Sequence, residues 1–219
     1  MTLPALVTGA SRGLGHAVAL ALAPARHVIA VARTVGGLEE LDDAIAAKGG
    51  TATLAPLDVT NDGAMQHLCR DVFDRWGGVS LWVHCAIHAP PLTPAAMIDV
   101  KDFEKSMGVN AGATRRLIAF VAPLLRDRGT AVFLDDPMAD AKHAGTYGAS
   151  KRAQIALARA WAQERTSPSV VVHTPAPMPT ALRARFFPGE DRKRLTPCAD
   201  EAARLLAALP ALEAGAPGP

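Results

Sequence analysis

The chain has 219 residues, of which 49% are hydrophobic and 20% charged, and its formal net charge is +2 at pH 7. These values suit one α/β domain with one substantial core, and they argue against two independent domains and against a nucleic-acid partner. No apolar stretch reaches the roughly 18 residues that span a bilayer, and the chain does not begin with a secretory signal pattern. We therefore expect a cytoplasmic protein that does not bind membranes.

Cysteine and histidine usage predicts neither disulfides nor a metal site. Cys69, Cys85 and Cys198 are odd in number and far apart, which fits neither a disulfide framework nor a paired-cysteine zinc site and indicates a reducing compartment. His84 and His88 are four residues apart, but they fall at a predicted strand end, where that spacing does not converge on one face.

Short apolar runs alternate with longer stretches of helical periodicity. This rhythm predicts a three-layer Rossmann fold, a doubly wound parallel sheet of six or seven strands with helices on both faces. In chain order the predicted elements are strand 3–8, helix 13–23, strand 27–32, helix 38–48, strand 52–56, helix 62–76, strand 80–85, helix 109–126, strand 130–134, helix 148–165 and strand 169–174. Residues 175–197, with five prolines, are predicted as a long loop, and 199–209 have a helical pattern.

A glycine-rich turn separates the first predicted strand from the first helix, where residues 8–15 read TGASRGLG. Glycines let the backbone turn tightly and approach a pyrophosphate, while a helix N-terminus offers free N–H groups and a positive dipole end. Glycines needed only for packing are the alternative, but the order of strand, turn and helix favours nucleotide binding. The predicted contacts are Gly9, Ser11, Arg12, Gly13, Leu14 and Gly15.

The spacing Gly-x-x-x-Gly-x-Gly resembles the cofactor motif of the short-chain dehydrogenase/reductase family. The resemblance continues through residues 57–60 (LDVT), Asn110, residues 147–151 (YGASK) and residues 175–180, so it covers nearly the whole chain. It implies a nicotinamide cofactor, a small-molecule carbonyl or alcohol substrate, and a homodimer or homotetramer in which helices 109–126 and 148–165 meet a second copy. It also makes 175–197 a substrate lid over one domain, 1–219.

The end of the second strand indicates which nicotinamide cofactor is bound. Residues 31–34 read VART, so the carboxylate that would bind an adenosine 2′-hydroxyl is missing. Arg33, together with Arg12 from the glycine turn, could instead pair with a 2′-phosphate, which predicts NADP(H). The alternative is that both arginines are simply solvated. By resemblance, further cofactor contacts are Asp58, Val59, Ala86, Tyr147, Lys151, Pro175 and Thr180.

Tyr147 and Lys151 lie four residues apart at the start of a predicted helix, so they share one face. An ammonium beside a phenol lowers the phenol pKa and makes it a proton donor and acceptor near neutrality. By resemblance, Tyr147 protonates the carbonyl oxygen, Lys151 holds the ribose hydroxyls, and Asn110 supports a water-mediated relay. A surface tyrosine one turn from a lysine is the alternative interpretation.

The family's catalytic serine is absent. It normally precedes the tyrosine by about a dozen residues, but no Ser or Thr lies between Thr130 and Thr146, and Asp135 or Asp136 occupies its approximate place. An ionised carboxylate cannot donate a hydrogen bond and would raise the pKa of Tyr147, although a protonated one could donate and would favour activity at lower pH. A solvated Asp-Pro turn is the alternative.

A second departure is residues 84–87 (HCAI), where the family usually shows Asn-Asn-Ala-Gly and only Ala86 matches. We interpret Cys85 as a small buried hydrophobe rather than a nucleophile, because the sequence supplies it no base. The predicted lid carries four apolar side chains that could line a substrate pocket or pack the lid down: Met178, Leu182, Phe186 and Phe187.

Two functional hypotheses follow. The first is an NADP(H)-dependent oxidoreductase with Tyr147, Lys151 and Asn110 in the catalytic set, which their presence favours. The second is a catalytically weak NADP(H)-binding sensor or interaction protein, which the missing serine favours. The intact glycine turn argues against a purely structural protein without a nucleotide site.

Overall fold

The computed structural model describes residues 2–125, 128–164 and 167–209. These residues form one sheet of six parallel strands in the order β3-β2-β1-β4-β5-β6, which confirms the doubly wound parallel architecture. The strands are β1 Ala5–Thr8, β2 Val28–Ala32, β3 Ala52–Pro56, β4 Leu81–His84, β5 Thr130–Leu134 and β6 Ser169–His173. Each strand begins and ends within two residues of its predicted bounds.

Eight helices belong to the described part of the chain. They are α1 Gly13–Leu22, α2 Val35–Ala46, α3 Asp62–Trp76, α4 Val100–Ser106, α5 Ala113–Leu125, α6 Gly145–Glu164, α7 Ala181–Phe186 and α8 Cys198–Ala208. A π-helical stretch, Met107–Gly112, joins α4 to α5. Within residues 2–125, 128–164 and 167–209, no helix is long and apolar enough to cross a bilayer.

Helices cover both faces of the sheet, so the central strands β1, β2 and β4 are buried along their whole length. On one face Val18, Leu38 and Leu205 contribute to a core cluster that also holds alternate strand residues. On the other face Leu117 and Ile155 pack in a second cluster around Trp82 and Phe133. Because both faces are apolar, the strands read as continuous hydrophobic runs.

The sheet reverses its winding between β1 and β4. Thr8 pairs with Val31 of β2 on one side and with His84 of β4 on the other. In open α/β sheets a crevice forms at such a switch point, outside the carboxyl ends of the strands. The glycine turn after β1 and the motif residues that follow β2, β3 and β4 lie at this edge.

Several predicted helix bounds were wrong. Helix α6 begins at Gly145 rather than at residue 148, α2 begins at Val35 rather than at residue 38, and α4 was not predicted. Glycines disfavour helix, but Gly37 is needed in α2 because a Cβ there would lie 2.8 Å from the carbonyl oxygen of Ser11. The predicted helix ends Arg126 and Arg165 lie outside the described residues.

The segment 175–197 is not the plain loop that its prolines predicted. It contains helix α7 and a 3₁₀ turn at Arg192–Arg194. Thr180 caps α7, because its hydroxyl accepts a hydrogen bond from the backbone N–H of Arg183. The prolines at 179 and 188 flank the helix rather than interrupt it.

Candidate functional site

A cavity of about 670 Å³ opens at the carboxyl edge of the sheet. It is bounded by the glycine turn after β1, by the ends of β2, β4 and β5, by the start of α6 and by the segment 175–186. Its volume falls within the range of small-molecule and cofactor sites. Every residue that we predicted to contact cofactor or substrate lines this cavity except Asn110 and Phe187.

The glycine turn forms a cradle that side chains would fill. Gly9 has φ +80°, and a Cβ there would lie 2.6 Å from the backbone nitrogen of Ala86. Gly13 has φ +61° and begins α1, whose N-cap residue Arg12 gives no side-chain hydrogen bond to the helix. The first N–H groups of α1 therefore have no capping side chain, which suits a pyrophosphate. These features fit a dinucleotide.

The two arginines predicted to select the cofactor both line the cavity, but only one of them has an ion-pair partner among the described residues. Arg12 is exposed and forms no ion pair with any residue of the described chain. Arg33 lies at the end of β2 with its Nη1 3.8 Å from Oδ2 of Asp58, a contact that sequence reasoning missed. Partial burial by itself would raise the pKa of Asp58. The hydrogen bonds from Thr60, and then the charge of Arg33, outweigh burial and hold this pKa below its usual value.

Tyr147 is 2% exposed, and its hydroxyl donates a hydrogen bond to Oδ2 of Asp136 at 2.6 Å. Burial, then the Asp136 carboxylate and its hydrogen bond, raise the pKa of Tyr147 well above its usual value. The expectation that Lys151 lowers this pKa is therefore not met in this structure: burial and the two carboxylates raise the pKa, and the charge that opposes them is that of Arg152. Phe186 of α7 packs edge-to-face on the tyrosine ring at 5.1 Å between centroids.

Asp135 and Asp136 have different environments. Asp135 is 8% exposed, and its two oxygens accept from Arg152 at 2.6 Å and from Arg159 at 3.0 Å, both on α6. Asp136 contacts Tyr147 and also accepts from the backbone N–H of Met138, as an Asp-Pro turn requires. Of the two aspartates, Asp136 is the one in contact with the tyrosine.

Lys151 is 5% exposed and lines the cavity one helical turn beyond Tyr147. Burial lowers the pKa of its ammonium to about 8, although nearby Asp136 and Asp135 oppose that shift. Its Nζ donates to Oε1 of Gln154 at 2.7 Å.

Asn110 lies in the π-helical stretch and braces the chain beyond β4. Its Oδ1 accepts from the backbone N–H of His88 at 2.7 Å, and its Nδ2 donates to the His88 carbonyl at 2.8 Å and to Oγ of Ser150 at 2.9 Å. The side chain is fully buried and well satisfied. Its part in a proton relay stays a prediction.

The His-Cys-Ala-Ile segment has a polar anchor that sequence reasoning missed. The ring of His84 contacts Oγ1 of Thr8 through Nδ1 at 2.7 Å and Oγ1 of Thr114 through Nε2 at 3.0 Å. Burial, and then the charge of Lys151, lower the pKa of His84 to about 3. Cys85 is half-buried rather than fully buried as predicted, and the burial of its thiol raises the pKa to about 12, which does not suit a nucleophile.

Neutral His84 predicts a loss of stability in acid. The unfolded chain takes up a proton at this histidine near pH 6.5, whereas the folded chain does so only near 3, so stability is present above 6.5 and is lost as the pH falls towards 3. Between pH 7 and pH 5 we expect His84 to account for about 2 kcal/mol of lost unfolding free energy. Urea unfolding at both pH values should show a flatter pH dependence for His84→Asn than for the exposed-site control His67→Asn. Equal slopes in the two variants would contradict this assignment.

The apolar lid residues have mixed placements. Met178, Leu182 and Phe186 line the cavity, whereas Phe187 faces away from it beneath the guanidinium of Arg183, 4.4 Å from the ring centre. Thr180 lies beside the glycine turn, because a Cβ on Gly13 would be 3.4 Å from its Cγ2. Thus three of the four apolar side chains line the cavity, and the fourth packs within the segment itself.

Comparisons with known proteins agree with this site. The family model described as short chain dehydrogenase matches residues 4–191. The fatty acyl-CoA reductase of Acinetobacter baylyi is 32% identical over 166 residues, which cover 73% of this chain and 56% of that protein. An uncharacterized oxidoreductase of Mycobacterium bovis is 30% identical over 199 residues, covering 83% of this chain and 58% of that protein. The chain spans about half the length of these curated relatives.

Among solved structures, a putative short chain dehydrogenase from Escherichia coli CFT073, complexed with NADPH, superposes with a TM-score of 0.85 and 26% identity, covering 93% of this chain and 89% of that one. A counterpart from Shigella flexneri, complexed with NADP, gives a TM-score of 0.83 and 26% identity, covering 90% and 87%.

Proposed function

This chain belongs to the short-chain dehydrogenase family, and on that premise we propose that it is an NADP(H)-dependent oxidoreductase acting on a carbonyl or alcohol group. The observation that carries the proposal is the buried hydroxyl of Tyr147, one helical turn from buried Lys151, on the wall of the cavity that holds the glycine cradle. A proton donor beside a dinucleotide site is the arrangement that carbonyl reduction needs.

Bound at this site, the nicotinamide would supply or accept the hydride. The chain's own part is to move a proton: Tyr147 gives its hydroxyl proton to the carbonyl oxygen during reduction and takes one back during oxidation. The Lys151 ammonium would hold the ribose hydroxyls, and the first turn of α1 would hold the pyrophosphate. The adenosine end would lie against Asp58, Val59 and Ala86, and Pro175 and Thr180 would close the other end.

The contact between Tyr147 and Asp136 limits this chemistry, since a substrate carbonyl must compete with a carboxylate for the tyrosine proton. The same contact favours the second candidate function, a catalytically weak NADP(H)-binding sensor. We propose the enzyme first because Tyr147, Lys151 and Asn110, the other members of the family's catalytic set, are all present.

The apolar wall of the cavity suggests the substrate. Ile87, Leu182 and Phe186 lie near Tyr147 in one apolar cluster, so we infer a carbonyl carried on an apolar group. The similarity to a fatty acyl-CoA reductase makes aliphatic aldehydes the first compounds to screen. Pairing of α5 and α6 with a second copy, and a cytoplasmic location, stay predictions.

Cofactor preference tests the proposal directly. We expect NADPH to bind at least about tenfold more tightly than NADH, and Arg12→Ala or Arg33→Ala to weaken NADPH by about 10-fold or more while changing NADH little, since each removes a charge-assisted bond to the 2′-phosphate. Nicotinamide fluorescence measures both dissociation constants. Within residues 2–125, 128–164 and 167–209 no carboxylate pairs with Arg12, whereas Asp58 pairs with Arg33, so the Arg12 variant should show the larger effect.

The matched control is Arg70→Ala, an exposed arginine on α3 that does not line the cavity. It should leave both constants unchanged. Equal affinities for NADPH and NADH would contradict the assignment of the two arginines, and no binding of either cofactor would contradict both candidate functions.

A further inference from the structure

A chain of buried hydrogen bonds runs from β1 to the cavity. It passes from Thr8 to His84 at 2.7 Å and from His84 to Thr114 at 3.0 Å. It continues from Thr114 to Gln154 at 3.1 Å and from Gln154 to Lys151 at 2.7 Å. All five residues are at most 5% exposed. They belong to β1, β4, α5 and α6, so this series of hydrogen bonds links four elements near the carboxyl edge of the sheet.

The direction of each bond is determined by the hydroxyl of Thr114. This hydroxyl donates its one proton to the carbonyl of Asn110 at 2.7 Å, so it can only accept from its other two partners. His84 therefore carries its proton on Nε2, and its Nδ1 accepts from Thr8. Likewise Gln154 must donate from Nε2 to Thr114, and its amide oxygen is turned towards Lys151.

We propose that Gln154 is a positioning residue for Lys151: anchored by Thr114 and His84, its amide oxygen fixes the ammonium at the cavity wall and sustains its positive charge. This inference rests on the proposed function insofar as Lys151 holds the cofactor ribose. The bond to Gln154 uses one of the three ammonium protons and leaves two for the ribose hydroxyls.

The ammonium needs such a partner because burial disfavours its positive charge. Burial brings its pKa to about 8, close enough to neutrality that one lost acceptor changes its protonation. The titratable and charged groups that face it are Asp135, Asp136, Arg152, His84, Cys85 and Tyr147. Of these, Asp136, Asp135 and the Cys85 thiol favour the ammonium and Arg152 opposes it, and Asp135 is already bound by Arg152 and Arg159.

The direct test is the titration of Lys151 in the cofactor-free protein, followed by NMR of lysine labelled with ¹³C at Cε, with Lys151→Met to assign its signal. We expect a midpoint near pH 8 in the unaltered protein. Gln154→Leu should lower it by about one pH unit, because a charge-assisted hydrogen bond is lost, and Gln154→Glu should raise it. The matched control is Gln163→Leu, an exposed glutamine on the same helix, which should leave the midpoint unchanged.

A second pair of variants keeps the test decisive if Gln154→Leu does not fold. Thr114→Val releases the amide and should lower the midpoint in the same direction by a smaller amount, whereas Thr114→Ser, which keeps the hydroxyl, should restore it. A merely structural role would destabilise both Gln154 variants without moving the midpoint in opposite directions.

Binding of NADPH is the separate readout for the cofactor. At pH 8 the dissociation constant of Gln154→Leu should rise by about fivefold, because a midpoint one unit lower reduces the protonated fraction of Lys151 from about one half to about one tenth. An unchanged Lys151 midpoint in Gln154→Leu and Gln154→Glu would overturn the inference, even if NADPH binds normally. Shifted midpoints without any NADPH binding would support the positioning role and would instead contradict the proposed function.

Discussion

Replacing Tyr147 by phenylalanine is expected to slow hydride transfer by about 10²- to 10⁴-fold, the range that a positioned general acid contributes. The NADPH dissociation constant should change little, because the hydroxyl faces Asp136 rather than the glycine cradle. Phenylalanine keeps the edge-to-face contact with Phe186, so the loss would report the proton and not the packing. The measurement is single-turnover oxidation of bound NADPH by an aliphatic aldehyde.

The two candidate functions predict different results for Tyr147→Phe. A sensor that binds NADP(H) without turnover would show no rate to lose, and a genuine enzyme that does not use Tyr147 would keep its rate. Either outcome would contradict the role given to the tyrosine. Normal NADPH affinity in Tyr147→Phe would show that the variant is folded, so that a lost rate is not caused by misfolding.

Replacing Asp136 by serine is expected to have an effect of similar size in the opposite direction. A carboxylate beside Tyr147 holds the tyrosine proton and opposes negative charge on the substrate oxygen, whereas a hydroxyl would release the proton and donate a hydrogen bond. Supplying one such donor is worth about 10²–10³ in rate. Reduction by Asp136→Ser should therefore be faster at neutral pH, measured as turnover of NADPH with the same aldehyde.

A third variant separates the two effects of this change. Asp136→Ala tests removal of the charge without a new donor. Asp135→Ser is the control, since it should bring no gain and should cost stability by leaving Arg152 and Arg159 without their buried carboxylate. Turnover of Asp136→Ser equal to that of the unaltered protein at every pH would remove Asp136 from the reacting centre.

Much of the fold could be predicted from the sequence because its signals are local. Strands β3 and β5 were predicted at their exact bounds, since a run of apolar residues between turn residues depends only on neighbours in the chain. The glycine turn and the Tyr147–Lys151 pair were found for the same reason. Their geometry follows from spacing along one turn or one helix.

Other features could not be predicted because they join residues that are distant in the chain. His84 contacts Thr8 and Thr114, which are 76 and 30 residues away, and no local pattern in the sequence signals either contact. Helix α4 also escaped prediction, and the helix predicted from residue 109 begins as a π-helical stretch in which Asn110 is bonded to the backbone of His88, 22 residues away.

The sequence by itself determined the kind of site: a glycine cradle, two arginines without an adjacent carboxylate in the chain, and a tyrosine and lysine on one helical face. Only the tertiary structure decided how those groups are used. It separated Asp136, bonded to Tyr147, from Asp135, bonded to two arginines, although the two are neighbours in sequence. The physical reason is that burial and the charges around a group determine what a carboxylate or an ammonium can do, and both depend on which elements pack together.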